Sequence, residues 1–95
     1  MDHLLLGIDI GTTAVKAALV TLDGRLQAAE SCTYKTDYIK ANWVEQQPEH
    51  WWGATCTTIQ TVLRAVPNAR DRILGLAVSA QAPTLLAVDR NGQPI

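Results

Sequence analysis

The stretch GIDIGTTAVK, residues 7–16, decides the fold of this chain. An apolar run leads into it, and its central Gly-Thr-Thr, residues 11–13, separates that run from a second apolar run. Two apolar runs joined by three small residues predict two neighbouring strands with a tight turn between them. We expect strands at residues 4–10 and 14–21, with Val15, Ala17 and Leu19 on one face of the second strand.

The turn between these strands carries residue types that suit a nucleotide's phosphates and the magnesium that accompanies them. Gly11 lacks a Cβ, so that backbone approaches a phosphate closely and adopts positive φ at low cost. Thr12 and Thr13 offer hydroxyl and backbone N–H donors to phosphate oxygens. Asp9 is a candidate magnesium ligand, because this ion prefers hard oxygen ligands. Lys16 is a candidate phosphate ligand only if its side chain points into a cleft; otherwise it is a solvated strand residue.

Two other interpretations of the turn were weighed. In a plain hairpin, Asp9 and the two threonines would only satisfy the backbone of the turn. A Walker A loop is excluded, because the chain lacks G-x-x-x-x-G-K-[ST] here and a strand rather than a helix follows.

Size and composition restrict the class of protein. The 95 residues make at most one small domain, with a net charge of −1 and a pI near 6.0. No basic run is present, which argues against a nucleic-acid partner. No apolar stretch is long enough to span a bilayer and no signal peptide is evident, so we expect no membrane association. Cys32 and Cys56 have no metal-ligand spacing, which together with the missing signal predicts reduced thiols in a cytoplasmic protein.

The rest of the chain predicts a β-β-β-α-β-β order. Asp23-Gly24 is typical of a tight hairpin turn before a third strand at residues 26–33. Residues 34–47 are polar and are expected to be irregular. The first three strands should form an antiparallel meander. A helix is expected from Pro48, and it should link the meander to a strand at residues 73–79 as a parallel crossover would. A strand at residues 85–88 and a turn at residues 89–92 are expected to follow. The helix should cover one face of the sheet with a stripe of residues: Trp52, Cys56, Ile59, Val62 or Leu63, and Val66. The other face is left without cover.

Three stretches together resemble the start of an FGGY-type carbohydrate kinase, in the superfamily of sugar kinases, Hsp70 and actin. GIDIGTT with Lys16 is similar to the family's first phosphate motif. WVEQQPEHWW, residues 43–52, is similar to the W-x-E-Q-x-P-x-x-W-W pattern of xylulokinase-like members. GLAVSAQ, residues 75–81, followed by LLAVD, resembles the strand and loop that bring side chains to the sugar site. The resemblance covers nearly all 95 residues.

The resemblance implies an α/β chain with a ribonuclease H-like (actin-like ATPase) fold. Residues 1–95 would form the incomplete N-terminal part of the first domain of a two-domain sugar kinase. The implied activity is ATP-dependent phosphorylation of a sugar or polyol hydroxyl, with magnesium, and a homodimer is possible for the full-length protein. The family's catalytic aspartate would lie beyond Ile95, so the 95 residues alone are expected to be inactive.

Carried over residue by residue, the resemblance implies that Asp9 binds magnesium and that the transferred phosphate is bound by Gly11, Thr12 and Thr13. Ser79, Ala80 and Gln81 would lie at the sugar pocket. Gln81 also follows an apolar strand directly, where ligands of such sheets bind.

Some alternatives stay open. Trp43 lies in a polar loop and would either stack on a sugar or pack, whereas Trp51 and Trp52 are expected to pack on the helix. Xylulokinases proper tend to carry Gln-Met-His-Gly where this chain has Ser-Ala-Gln-Ala, residues 79–82, which argues against naming D-xylulose as the substrate. The functional alternatives are an actin- or Hsp70-like nucleotide-binding module and an inactive truncated kinase remnant.

Overall fold

The computed structural model describes residues 2–95, which form six strands and two helices. In chain order they are β1 (Leu4–Ile10), β2 (Ala14–Thr21), β3 (Leu26–Thr33), β4 (Asp37–Lys40), β5 (Trp43–Glu45), α1 (Pro48–Ala65), α2 (Ala69–Arg72) and β6 (Ile73–Ala80). Neither α1 nor α2, the helices of this part of the chain, combines the length and apolar character that crossing a lipid bilayer requires.

A four-stranded mixed sheet in the order β3-β2-β1-β6 organises the chain. The first three strands form the predicted antiparallel meander, and Gly24 adopts the positive φ of 90° that its turn requires. The connection through α1 then returns β6 parallel to β1, with Leu6 opposite Leu76. The predicted parallel crossover is therefore confirmed, and β1 becomes an inner strand of the sheet.

The core lies between this sheet and α1. Alternate residues of β1 and β2 face the helix and are buried, including Leu4, which is fully buried, and Leu19 and Val15 at the centre of the meander. The predicted inward face of β2 is thus confirmed. Each fully buried Leu or Val side chain contributes roughly 1.5–3 kcal/mol of transfer free energy, so this short chain depends on a small number of well-buried positions.

Helix α1 begins at the predicted Pro48, but the predicted stripe on its buried face is partly wrong. Trp52 is 71% exposed, whereas the buried positions of the helix are Ala54, Thr55, Thr58 and Val62. The two threonines tolerate burial because each hydroxyl donates to the carbonyl one turn earlier, Thr58 to Ala54 at 2.6 Å.

Two further expectations were wrong. Residues 34–47 are not irregular throughout, because β4 and β5 pair as an antiparallel hairpin. Residues 85–88 form no strand; only Val88 bridges, to Pro94. The turn predicted at residues 89–92 is present, with Gly92 at a φ of 78° and the Asp89 carboxylate accepting the backbone N–H groups of Asn91 and Gln93. This turn brings residues 93–95 back along residues 87–89 instead of extending the sheet.

The face of the sheet opposite α1 carries no cover from residues 2–95, as predicted. Asp9 and Lys16 are exposed there, and Leu5 is 38% exposed. On the helix side, α1 packs across β2 and β3, which leaves Leu76 and Val78 of β6 more than half exposed. Helix α1 therefore covers only part of one face of the sheet, and the opposite face is open and carries charged side chains.

Candidate nucleotide and sugar site

The β1–β2 turn is a short, tightly held segment at the carboxyl end of β1. The N–H of Gly11 donates to the carbonyl of Ala14 at 2.9 Å, and the N–H of Tyr34 donates to the carbonyl of Thr13 at 3.1 Å. A Cβ on Gly11 would lie 3.2 Å from the Ala14 oxygen. Gly11 does not have a positive φ, so the expectation of positive φ was wrong; a side chain at this position would instead crowd the carbonyl oxygen of Ala14. The turn holds Thr12 and Thr13 exposed at its tip.

The carboxyl end of β6 lies directly beside this turn. The backbone N–H of Gln81 donates to the carbonyl of Ile10 at 2.8 Å, which extends the parallel β1–β6 pairing by one residue. The chain then leaves the sheet through a cis Ala82–Pro83 peptide, and the Thr84 hydroxyl donates to the carbonyl of Gln81 at 3.3 Å. Parallel strands end at the same edge, which is where such sheets bind ligands.

The side-chain amide of Gln46 joins four separate segments at this edge. Its Nε2 lies 2.7 Å from the carbonyl oxygen of Thr12 and 2.7 Å from the hydroxyl of Thr36. Its Oε1 accepts the indole N–H of Trp51 and the Nε2–H of Gln81, each at 2.9 Å. The β1–β2 turn, the segment before β4, helix α1 and the end of β6 are thereby tied together.

A cavity of about 730 Å³ opens at this junction. Its walls include Thr12 and Thr13 from the turn, Gln81 from the end of β6, and Gln46 and Trp51. Residues 83–87 and 94–95 close its far side. The structure thus brings three of the sequence-predicted site residues, Thr12, Thr13 and Gln81, to one cavity.

Three other predicted residues form a row on the open face of the sheet. Asp9 lies directly opposite Lys16 on β2 and opposite Ser79 on β6. All three line a second depression of about 820 Å³, together with small residues of the four-stranded sheet. A carboxylate, an ammonium group and a hydroxyl therefore share one surface next to the β1–β2 turn.

Gly11, Ala80 and Trp43 line neither depression. Gly11 lies in the β1–β2 turn and Ala80 is the last residue of β6, so both contribute backbone next to the depressions. Trp43 is 55% exposed on the β4–β5 hairpin, and the ammonium of Lys40 lies 4.3 Å from the centroid of its ring. A cation over an aromatic face is a favourable contact in its own right, so a role of Trp43 in sugar binding stays a prediction.

Three residues of this region were not predicted from the sequence: Gln46, Thr36 and Tyr34. Gln46 lies within the quoted stretch at residues 43–52, but its partners are up to 35 positions away, which no local pattern reveals. The hydroxyl of Tyr34 is shielded from solvent without a hydrogen-bond partner among residues 2–95. Burial, and then the negative charge of Asp9, raise the pKa of Tyr34 above its ordinary value.

The donor groups around Asp9 determine what kind of magnesium site it could form. Residues 2–95 contain no group of three or more His, Cys, Asp or Glu side chains that could hold a metal ion. Magnesium at phosphate sites is commonly held by one or two carboxylates together with waters and substrate phosphates. A single exposed carboxylate beside the β1–β2 turn fits that arrangement if the turn holds a phosphate, and it does not fit a site made of protein ligands alone.

Comparisons with known proteins agree with this geometry. Residues 4–95 match the sequence profile of the FGGY family of carbohydrate kinases, N-terminal domain. The chain is 32% identical over 91 residues to a xylulose kinase of Staphylococcus xylosus, covering 96% of this chain and 18% of the relative. It is 28% identical over 95 residues to a glycerol kinase of Thermococcus gammatolerans, covering 100% of this chain and 19% of the relative.

The fold agrees as well. A crystal structure of xylulose kinase from Rhodospirillum rubrum superimposes with a TM-score of 0.92 at 25% identity, over 98% of this chain and 19% of that one. The ribonuclease H-like expectation is thus confirmed, and the chain spans less than a fifth of the length of these relatives. With the profile matching all but the first three residues, the chain belongs to the FGGY family of carbohydrate kinases, to its N-terminal domain.

Proposed function

We propose that these residues supply the phosphate-binding turn and part of the sugar pocket of an ATP-dependent kinase that phosphorylates a hydroxyl group of a sugar or polyol. The observation that carries the proposal is the single cavity onto which Thr12, Thr13 and Gln81 all open. Phosphoryl transfer requires a donor phosphate and an acceptor hydroxyl to be held close together and in line. A cavity bounded by a phosphate turn and by an amide side chain meets that requirement.

On the phosphate side, Gly11 lets the turn backbone approach the transferred phosphate, and Thr12 and Thr13 donate hydrogen bonds to its oxygens. Asp9 would hold magnesium, which when bound neutralises charge on the phosphates of the nucleotide. Lys16 stands opposite Asp9, close enough in the sheet to add positive charge to the same surface.

On the sugar side, Gln81 provides the amide that hydrogen bonds to a substrate hydroxyl. Ser79 and Ala80 form the strand end that positions this amide, and Trp43 offers an aromatic face on the neighbouring hairpin. We assign no general base to residues 2–95; the resemblance gives the role of accepting the hydroxyl proton to an aspartate near the end of the family's first domain. The xylulose kinase and glycerol kinase relatives support a polyhydroxylated substrate. The charge and cysteine pattern of the sequence supports a cytoplasmic protein that binds neither nucleic acid nor membrane, with a homodimer as a possible assembly of the full-length protein.

The proposal is tested with the polypeptide that the source organism makes with these residues, purified and incubated with Mg²⁺, ATP and a panel of ketoses, sugar acids and polyols. We expect sugar-dependent ADP release and a phosphorylated product that mass spectrometry detects. Replacing Thr13 by Val should lower the kcat/KM for ATP, whereas Thr57→Val on the exposed side of α1 should not. ATP hydrolysis that no member of the panel accelerates would instead favour the actin-like alternative.

A further inference from the structure

The amide of Gln46 has only one possible orientation. Trp51 is purely a donor and the Thr12 carbonyl is purely an acceptor, so the Gln46 oxygen must face the indole and its nitrogen must face the turn. Both hydrogens of Nε2 and both lone pairs of Oε1 then have partners. A half-buried amide with four hydrogen bonds is held rigidly, since any rotation would break several of them.

This orientation determines how Gln81 faces the cavity. The Nε2 of Gln81 donates to the Gln46 oxygen at 2.9 Å, so the Gln81 amide is also fixed. Its own Oε1 has no protein partner among the described residues, and the side chain lines the cavity. The group that Gln81 presents to a ligand is therefore a carbonyl oxygen, which accepts hydrogen bonds and so selects for a donating hydroxyl.

The same Gln46 amide holds the phosphate turn. Its nitrogen donates to the carbonyl of Thr12 while its oxygen holds Gln81, so that one planar group spans the two sides of the cavity. Any displacement of Gln46 moves the phosphate-binding backbone and the sugar-binding oxygen together. Misplacement of reacting groups by about 1 Å costs on the order of 100-fold in rate, so a rigid link of this kind has a direct use in phosphoryl transfer.

We propose that Gln46 is a positioning residue that orients the Gln81 carbonyl oxygen toward a substrate hydroxyl and holds it in register with the phosphate turn through Thr12. This inference rests on the proposed function and goes beyond it, because it assigns the donor and acceptor roles at the sugar contact. The substrate hydroxyl donates to Gln81 Oε1, and Gln46 acts through Gln81 and Thr12, because all four hydrogen-bonding positions of its own amide are already occupied.

The test is a double-mutant cycle measured on the purified kinase with the sugar that the panel identifies. Gln46→Leu should raise the KM for that sugar about tenfold, the effect of losing a positioned hydrogen bond. In a Gln81→Ala background the same substitution should raise the sugar KM by less than about twofold, because the group that it orients is already absent. Gln60→Leu, a matched change on an exposed part of α1, should alter neither KM nor kcat.

A second variant tests the contact with Thr12 separately from the contact with Gln81. It also keeps the inference testable if Gln46→Leu fails to fold. Gln46→Glu keeps two oxygens that accept from Trp51 and Gln81 but loses the donor to Thr12, so the KM for ATP should rise more than the KM for sugar. Equal losses from Gln46→Leu in both Gln81 backgrounds would show a purely structural role and overturn the inference. An inactive parent protein would overturn the proposed function itself, whereas an active parent with additive variants would overturn only the role of Gln46.

Discussion

Replacing Gly11 by alanine tests whether the turn must bring backbone close to a phosphate. The new Cβ would lie 3.2 Å from the carbonyl oxygen of Ala14, inside the 3.4 Å at which ordinary contacts begin. That oxygen belongs to the turn backbone and accepts the Gly11 N–H at 2.9 Å. It cannot rotate away as a flexible side chain would, so the turn itself must shift by at least 0.2 Å.

The size of the expected effect follows from this shift. A displacement of about 1 Å costs on the order of 100-fold in rate. If the free-energy cost is proportional to the displacement, a shift of about 0.2–0.4 Å lowers kcat/KM for ATP by about three- to sixfold. The free energy of unfolding should change by less than about 1 kcal/mol, because alanine removes conformational entropy from the unfolded chain and offsets part of the strain. Activity should therefore fall while stability stays nearly constant.

Gly7→Ala provides the matched control. Gly7 lies on β1, the strand that leads into this turn, and a Cβ placed there meets no atom of residues 2–95 within 4 Å. Steady-state kinetics with varied ATP at saturating sugar, together with thermal unfolding of each variant, measure both quantities. The reasoning is refuted if Gly11→Ala retains the parental kcat/KM, or if Gly7→Ala loses as much as Gly11→Ala does.

Three further predictions concern stability, each measured by urea unfolding. Gly53→Ala, on the exposed side of α1 with open space around its Cβ, should raise the free energy of unfolding by about 0.5–1 kcal/mol; no gain would mean that the helix is frayed there. Leu19→Ala should lower it by about 2–5 kcal/mol, whereas Leu22→Ala, at a half-exposed leucine, should change it little. Tyr34→Phe removes an unpartnered hydroxyl, so stability at pH 7 should hold or rise. The pKa of Tyr34 is raised in the folded state, so the folded protein favours the neutral phenol. The resulting contribution to the free energy of unfolding is fully present below the unfolded pKa and is lost as pH rises through the folded pKa. Tyr34→Phe should therefore lose less stability than its parent above about pH 10.

The meander was predictable because each of its strands is long and each turn has its own residue signature. Asp23-Gly24 marks one turn, and the small residues around Gly11 mark the other. The β4–β5 hairpin escaped prediction because its strands have only four and three residues, too few for an alternating pattern to emerge.

The helix shows a different limit. Trp52 was placed on the buried face by its apolar character, although the buried face passes through Thr55 and Thr58 instead. A threonine counts as polar in a sequence pattern, yet in a helix its hydroxyl bonds to the preceding turn and leaves a methyl group for the core. Hydropathy alone therefore places the centre of the buried face incorrectly.

The candidate site divides in the same way. Thr12, Thr13 and Gln81 were predictable because they follow apolar strands directly, and strand ends are where ligands bind. Gln46 was not predictable as the group that connects them. Its four bonds reach from 5 to 35 positions along the chain, and only the folded sheet and helix bring those partners together.

The pairing of β1 with β6 has a consequence for how the chain acquires its structure. The pairings among strands β1, β2 and β3 join near neighbours in sequence and can form once residue 33 is available. The outer edge of β1 must then wait until residues 73–80 have been made. At about 5–20 residues per second, a ribosome takes several seconds to synthesise the intervening chain. During that interval β1 presents an unpaired apolar edge, so the nascent protein is most exposed to misassociation before β6 emerges.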